Sequence, residues 1–406
     1  MLADHLLGQA QALAPRIVAL RRAIHAEPEL GLETPLTLAK VRRELADLPL
    51  EWREGRSCTG AVAILRGARK DQNVSRPKQS GAVLLRGDMD ALPMNEETGL
   101  EFASAVPGRM HACGHDTHTA MLAGAARILA GRRDEFAGEV RFMFQPGEEG
   151  FHGARFMLEE GLLEPLPQAA FALHIMPNYQ HGMLASRAGT LLAAADMLEI
   201  TVTGRGGHAS MPHQTRDPVP VACEIVTAIQ ALIARRFDAA EAVVVTITQL
   251  DAGSAHNVIP DRAQLRGTIR TLSPERRMEV REALRRLAEG IAAAHECVAE
   301  VTVTEGFPPT INDPRAVALF AAVAGELPGG AFETLADPIM GAEDFSYVLE
   351  KLPGAMAFLG VAAEGSDWAG CCGIHSSRMV VDESVLPRGA AILAGCALRF
   401  LERGWE

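Results

Sequence analysis

Met110-His111-Ala112-Cys113-Gly114-His115-Asp116-Thr117-His118 places one thiol, three imidazoles and a carboxylate in nine consecutive positions and runs directly into a helical pattern. Donors this dense, where a loop meets a helix, read as a transition-metal site. Cys113 and His115 are the leading pair. Their Cys-x-His spacing lets an extended or turning backbone point two side chains to one side, and Gly114 between them permits close backbone approach. A lone cysteine is ordinarily a small apolar filler of a core; Cys113 departs from that because of the residues that accompany it further along.

On the N-terminal side of this stretch, apolar residues at helical spacing predict a helix over 5–24, broken by Pro28 and Gly31, and a second helix over 34–48. Two apolar runs, 61–65 and 82–85, read as strands separated by a polar insert over 67–81, expected as a surface loop. The second run ends in Arg86-Gly87-Asp88-Met89-Asp90. On the other side come a helix over 116–130, a strand over 140–144 ending in Gln145-Pro146-Gly147-Glu148-Glu149-Gly150, and an apolar run over 169–173 ending in His174. A strand followed by polar residues thus occurs three times, with helices between. In an open α/β sheet the ligand crevice lies beyond the carboxyl ends of the strands, and each candidate falls there.

The middle of the chain has a different rhythm: strand 197–203, helix 218–237, strands 243–250 and 263–270, helix 273–295, strand 298–304. Ser273 followed by Pro274 and Glu275 is a helix-start signature. The order β-α-β-β-α-β is that of a ferredoxin-like unit, so 188–305 is expected as an inserted α+β domain. It interrupts a catalytic domain formed by 1–187 and 306–406. The tail resumes with a helix after Asp313, a helix over 344–351, a strand over 355–359, a loop holding Cys371, Cys372 and His375, and a final helix from Leu386. The expected class is α/β, a mixed sheet flanked by helices, with the inserted domain in addition.

At 406 residues the chain is too long for one ordinary core. Apolar residues make up 48% and charged ones 22%, as in a soluble globular protein. A formal charge of −12 argues against nucleic acid or an anionic membrane surface as partner. No apolar run of about 18 residues is present to span a membrane, and the first thirty residues lack a signal-peptide pattern. Seven scattered cysteines, an odd number with Cys371 and Cys372 adjacent, point to a reducing compartment, hence the cytoplasm.

The polar residues at strand ends are Asp88, Asp90, Cys113, His115, Glu148, Glu149, His174 and His375. They exceed what one tetrahedral ion uses and suffice for two ions with open positions. Two ions about 3.5–4 Å apart can hold a bridging water, lower its pKa and polarise a carbonyl. The adjacent Glu148 and Glu149 fit a division of labour in which one carboxylate binds metal and the other takes a proton. Asp88 and Asp90 alternate on a strand end, so at most one is expected to face the site squarely, orienting a ligand imidazole.

The segments 110–118, 145–150, Gly206-Gly207-His208-Ala209-Ser210 with Pro212-His213, Asn257-Val258-Ile259-Pro260, Gly267-Thr268-Ile269-Arg270 and Met340-Gly341-Ala342-Glu343-Asp344-Phe345 resemble those of the bacterial and plant N-acyl-amino-acid amidohydrolases. That group includes hippurate hydrolase, aminoacylases, indole-acetyl-amino-acid hydrolases and N-acetyldiaminopimelate deacetylase. The resemblance covers nearly the whole chain. It implies a dinuclear metallohydrolase with an α/β catalytic domain and an inserted lid that often mediates dimers, so a homodimer or tetramer is expected.

By position, the resemblance implies Cys113, His115, Glu149, His174 and His375 as metal ligands, Glu148 as general base, and Asp90 as the carboxylate that supports a bridging ligand. His208 is implied as donor to the oxyanion of the tetrahedral intermediate, in relatives sometimes in the neighbouring subunit's site. Asn257 and Arg270 are implied to hold the substrate carboxylate, the arginine in bidentate fashion. Gly147 stands where alanine is common and Ala172 where glycine is common. His25, His111, His118, His213 and His256 are read as structural or supporting. The mixed thiolate, imidazole and carboxylate set suits two divalent ions of Mn, Zn, Co or Ni without selecting among them.

The reaction expected is hydrolysis of the amide bond of a small-molecule N-acyl amino acid (N-acetyl, N-benzoyl or aryl-acyl) by a metal-bridged hydroxide, with Glu148 as base. Three rivals stand beside it: a dipeptidase or carboxypeptidase on the same scaffold, a cysteine amidase with Cys113 as nucleophile and His115 as base, and a metal-dependent binding protein without catalysis. A pure binder has no use for Glu148 beside five ligands, which weighs against the last.

Overall fold

Four apolar runs, Glu139–Gln145, Ala82–Asp88, Ala169–Met176 and Gly354–Gly360, lie side by side and parallel at the centre of an eight-stranded sheet. Every residue of Ala82–Asp88 and of Gly354–Gly360 is buried, the state that parallel strands covered on both faces require. Leu50–Glu54 and Ala61–Arg66 add antiparallel strands at one edge; Met183–Ser186, antiparallel to Gly354–Gly360, and Ala331–Thr334 complete the other. The sheet is therefore mixed and flanked by helices. The structure, a computed structural model, describes residues 2–69, 81–367, 370 and 372–406. Most of the surface loop expected over 67–81, and Cys371, lie outside the described residues.

The helix that follows the Cys113 segment, His115–Ala130, is buried at all but two positions. It packs against Leu386–Arg403, Ala14–His25 and the strand Ala82–Asp88. Its run of alanines keeps the helices close and fixes His115 at the first turn, next to the strand ends. The single helix expected over 5–24 is instead two, Leu2–Ala12 and Ala14–His25. Pro15 in the first turn of the second has no N–H to continue the first. The expected helix over 344–351 shortens to Ser346–Leu349, and His174 lies inside its strand, which runs on to Met176 through pairing with Gly354–Gly360.

The chain divides into two compact units: Met1–Leu191 with Ile311–Asp337 and Asp344–Glu406, and Leu192–Thr310 with Pro338–Glu343. The divisions expected at 188 and 306 fall at 192 and 311, and residues 338–343 join the second unit. In that unit four antiparallel strands stand in the order 243–252, 262–271, 194–203, 298–304. This is the ferredoxin-like arrangement, with the last strand beside the first. Alternate residues Leu198, Ile200 and Val202 are buried against Ile225, Ile229 and Leu284 of the two helices Pro218–Arg236 and Pro274–Ala294. Asp217 and Ser273 cap those helices by accepting N–H bonds from Val219 and Arg276. Pro218–Arg236 and the segment Glu383–Arg403 are long and apolar enough to cross a membrane by length and composition. Each turns its apolar side into the core of its own unit.

Candidate metal centre

Gly114 caps the helix His115–Ala130 in the left-handed region, φ +89°. A Cβ there would stand 2.5 Å from Ile175 Cγ1, so the reversal that turns Cys113 and His115 to one side needs glycine. Gly114→Ala is expected to destabilise the protein by about 2–5 kcal/mol, from the left-handed backbone and the overpacking together. An unchanged denaturation midpoint would refute the backbone argument.

Cys113, His115 and His174 offer donor atoms all within 4.8 Å of one another, and so do Cys113, Glu149 and His375, and again His115, Glu148 and Glu149. The three groups overlap, so six side chains form one cluster. Cys113 Sγ is 3.3 Å from His174 Nε2. His174 Nδ1 lies 2.7 Å from the Ile175 carbonyl and donates to it, leaving Nε2 as the lone-pair nitrogen. His375 holds a positive φ of 64°, its N–H donates to the Ala112 carbonyl at 2.7 Å, and its Nε2 lies 3.4 Å from Glu149 Oε1.

Glu148 and Glu149 sit on a turn after the strand Glu139–Gln145. The Asp90 carboxylate accepts both of their backbone N–H groups, at 2.9 and 3.0 Å. The turn enters through Gly147 at φ +71°, where a Cβ would meet Leu32 Cδ2 at 2.7 Å, so this departure from the commoner alanine matches the backbone. His115 Nε2 is 3.9 Å from an oxygen of each glutamate.

Both aspartates of the 86–90 segment reach His115, at 3.6 Å from Asp88 Oδ2 and 3.5 Å from Asp90 Oδ1, which corrects the expectation that one would face away. Pairing ends at Asp88, and strand alternation no longer governs Asp90. Asp88 also accepts from His118 Nδ1 at 2.6 Å, while His118 Nε2 accepts the Ile175 N–H at 2.8 Å, the supporting role expected of His118.

The electrostatics are those of a site that awaits cations. Burial opposes charge on His115, yet Asp88 and Cys113 hold its pKa well above the ordinary value. Burial, then the neighbouring His118, pulls His174 well below it. Burial pushes the Cys113 thiol up. Hydrogen bonding to Cys113 and to Glu149 raises His375 to about 10. His115 Nδ1 and Nε2 and Glu149 Oε1 are buried without a close hydrogen-bond partner among the described residues. Buried polar atoms are rarely left open; soft, borderline and hard donors in overlapping groups within 4.8 Å fit divalent ions, whose binding would displace the protons these groups carry.

In the second unit, His208 pairs as a two-residue strand with Val258–Ile259. It is exposed, with Nδ1 accepting from the Ser210 N–H at 3.2 Å and facing Ser210 Oγ at 2.8 Å. Asn257 is its neighbour, its carbonyl accepting the Ala209 N–H at 3.0 Å. Arg270 lies mid-sheet opposite Val244 and Ala195 and shares no hydrogen bond or ion pair with either His208 or Asn257 among the described residues. Arg86, Gln145 and Asp344 lie against the site; the sequence reading gave none of them a role, although Gln145 and Asp344 fall in segments that carry the resemblance.

Residues 84–399 match Peptidase family M20/M25/M40. The chain is 39% identical over 390 residues to IAA-amino acid hydrolase ILR1-like 2 of Arabidopsis thaliana, covering 95% of this chain and 85% of that one. It is 38% identical to thermostable carboxypeptidase 1 of Saccharolobus solfataricus (98% and 99% covered) and 37% identical to N-acetylcysteine deacetylase of Bacillus subtilis (97% and 98% covered). A Bacillus subtilis crystal structure described as a dinuclear metal binding peptidase from the M20 family superposes with a TM-score of 0.83 at 34% identity, over 97% of this chain and 99% of that one.

Proposed function

The chain belongs to peptidase family M20/M25/M40 and is a metal-dependent hydrolase, and from that premise we propose that it hydrolyses the amide bond of N-acyl amino acids to a carboxylic acid and a free amino acid. What carries the reading is the carboxylate of Glu148, 3.9 Å from His115 Nε2 within the ligand cluster, on a turn whose amides Asp90 holds. Relatives named for hydrolysis of an amino-acid conjugate and for deacetylation of an N-acetyl amino acid support it.

Cys113, His115, Glu149, His174 and His375 are assigned to two divalent ions of the Mn, Zn, Co or Ni class. When bound, the ions would supply an acidified water and a polarised acyl carbonyl. Glu148 takes the proton of the attacking water and delivers it to the leaving amine nitrogen. Asp90 keeps Glu148 and Glu149 in place through their backbone and orients His115 from its Nδ1 side. His208, whose Nδ1 accepts the Ser210 N–H, carries its proton on Nε2 in the neutral ring and donates to the developing oxyanion. Asn257 and Arg270 take the substrate carboxylate. The second unit is read as lid and dimerisation domain of a homodimer or tetramer, and the compartment as the cytoplasm, in keeping with the free thiols of Cys58, Cys113, Cys223, Cys297, Cys372 and Cys396.

A carboxypeptidase or dipeptidase activity is the second reading, favoured by the carboxypeptidase relative at 38% identity. The two separate by amine release from N-acetyl, N-benzoyl and indole-acetyl amino acids set against plain dipeptides. Acylated amino acids are expected to be cleaved at least ten times faster, a transition-state difference of about 1.4 kcal/mol. Preference for dipeptides would transfer the assignment to the peptidase.

A further inference from the structure

We propose that Asp344 is a positioning residue for Glu148, clamping from behind both ends of the turn that carries it; the proposal rests on the reading of Glu148 as general base. The Asp344 carboxylate is fully buried. Its Oδ1 accepts from Gln145 Nε2 at 2.7 Å and from Arg86 Nη2 at 3.1 Å, and its Oδ2 accepts the backbone N–H of Ala154 at 2.9 Å. Gln145 is the residue at which the turn leaves its strand, and Ala154 lies in the first turn of the helix into which it runs. One carboxylate therefore joins the two ends, while Asp90 holds the middle. Arg86 ties this clamp to the opposite wall: Nη1 lies 2.6 Å from Asp88 Oδ2 and Nε donates to Gln145 Oε1 at 2.8 Å.

The arrangement requires a carboxylate. At least three N–H groups converge on Asp344, two on one oxygen and one on the other. An amide at this position presents an NH2 group either to Ala154 or to the Arg86–Gln145 pair, so Asn leaves donors facing donors whichever way it is turned. The Asp344 carboxylate also lies within 4.8 Å of the Glu148 carboxylate, so it acts on Glu148 through the turn it holds and through its charge.

The test is a double-mutant cycle of Asp344→Asn and Glu148→Gln in the full-length, metal-loaded protein, reading kcat, KM, ions per chain by elemental analysis and melting temperature. For Asp344→Asn the expected result is two ions retained, KM within threefold, and kcat lowered about 10- to 100-fold, the scale of a misplacement near 1 Å. Over Glu148→Gln the same substitution is expected to change kcat by less than twofold. A lower melting temperature with kcat within threefold, additive effects in the cycle, or loss of an ion would each overturn the proposal while leaving the base assignment intact. Near-normal turnover in Glu148→Gln alone would overturn both. Gln145→Met removes one grip without deleting a buried charge. It is expected to give the same pattern at about three- to tenfold, so a poorly folding Asp344→Asn leaves the question decidable.

Discussion

Removal of divalent ions by a chelator is expected to abolish turnover, and addition of Mn or Zn to the stripped protein to restore it. The donor set explains the size of the effect. Cys113 and His115 come from one loop-to-helix junction, Glu149 and His375 from two further loop or turn segments and His174 from a strand, and several of their buried atoms have no hydrogen-bond partner among the described residues. Without ions the chemistry is missing, and these segments are held only by their own hydrogen bonds, such as those from the Glu148 and Glu149 N–H groups to Asp90. A ligand present at a thousand times its dissociation constant adds about 4 kcal/mol to apparent stability, so a lower melting temperature in the stripped protein is a second readout. Activity indifferent to chelation would instead favour Cys113 as nucleophile. The structure weighs against that rival, because burial pushes the Cys113 thiol up and the reactive form is the thiolate.

Glu148→Gln is expected to keep both ions and lose about 10²- to 10⁴-fold in kcat, the range for removal of a general acid–base group. The substitution preserves shape, and the bond to the Asp90 carboxylate is donated by the Glu148 backbone N–H and not by its side chain, so the turn should stay in place. Metal content by elemental analysis beside steady-state kcat checks both halves. A variant with two ions and near-normal kcat would remove Glu148 from the mechanism. One that lost an ion would show Glu148 to be a ligand, exchanging its role with Glu149.

The ligand cluster was readable in advance because it obeys a topological rule. Cys113, His115, Glu148, Glu149 and His375 lie in loops or first helical turns beyond the sheet, and side chains of their types cost too much to bury there idly. The second unit was readable from its β-α-β-β-α-β order and from the helix start at Ser273-Pro274-Glu275. What stayed hidden depends on partners distant in sequence. Whether Leu50–Glu54 and Ala331–Thr334 become strands depends on neighbours contributed by Ala61–Arg66 and Met183–Ser186. The extension of Ala169–Met176 beyond His174 needs Gly354–Gly360 beside it. Arg86 and Asp344 are 258 positions apart, and nothing local marks them as a pair; each alone resembles an ordinary surface charge.

The strand Gly354–Gly360, born late in the chain, sits in the interior of the sheet between Ala169–Met176 and Met183–Ser186, and one proposed ligand, His375, follows it. A chain made only as far as residue 350 lacks the inner rung of this sheet. Pairing at such long sequence separation is slow, because the loop-closure entropy must be met before the contacts reward it. The missing rung leaves two apolar edges bare in the meantime, the condition under which chains stick to one another. The five proposed donors can therefore come together only once the chain has been made as far as His375, the last of them in sequence.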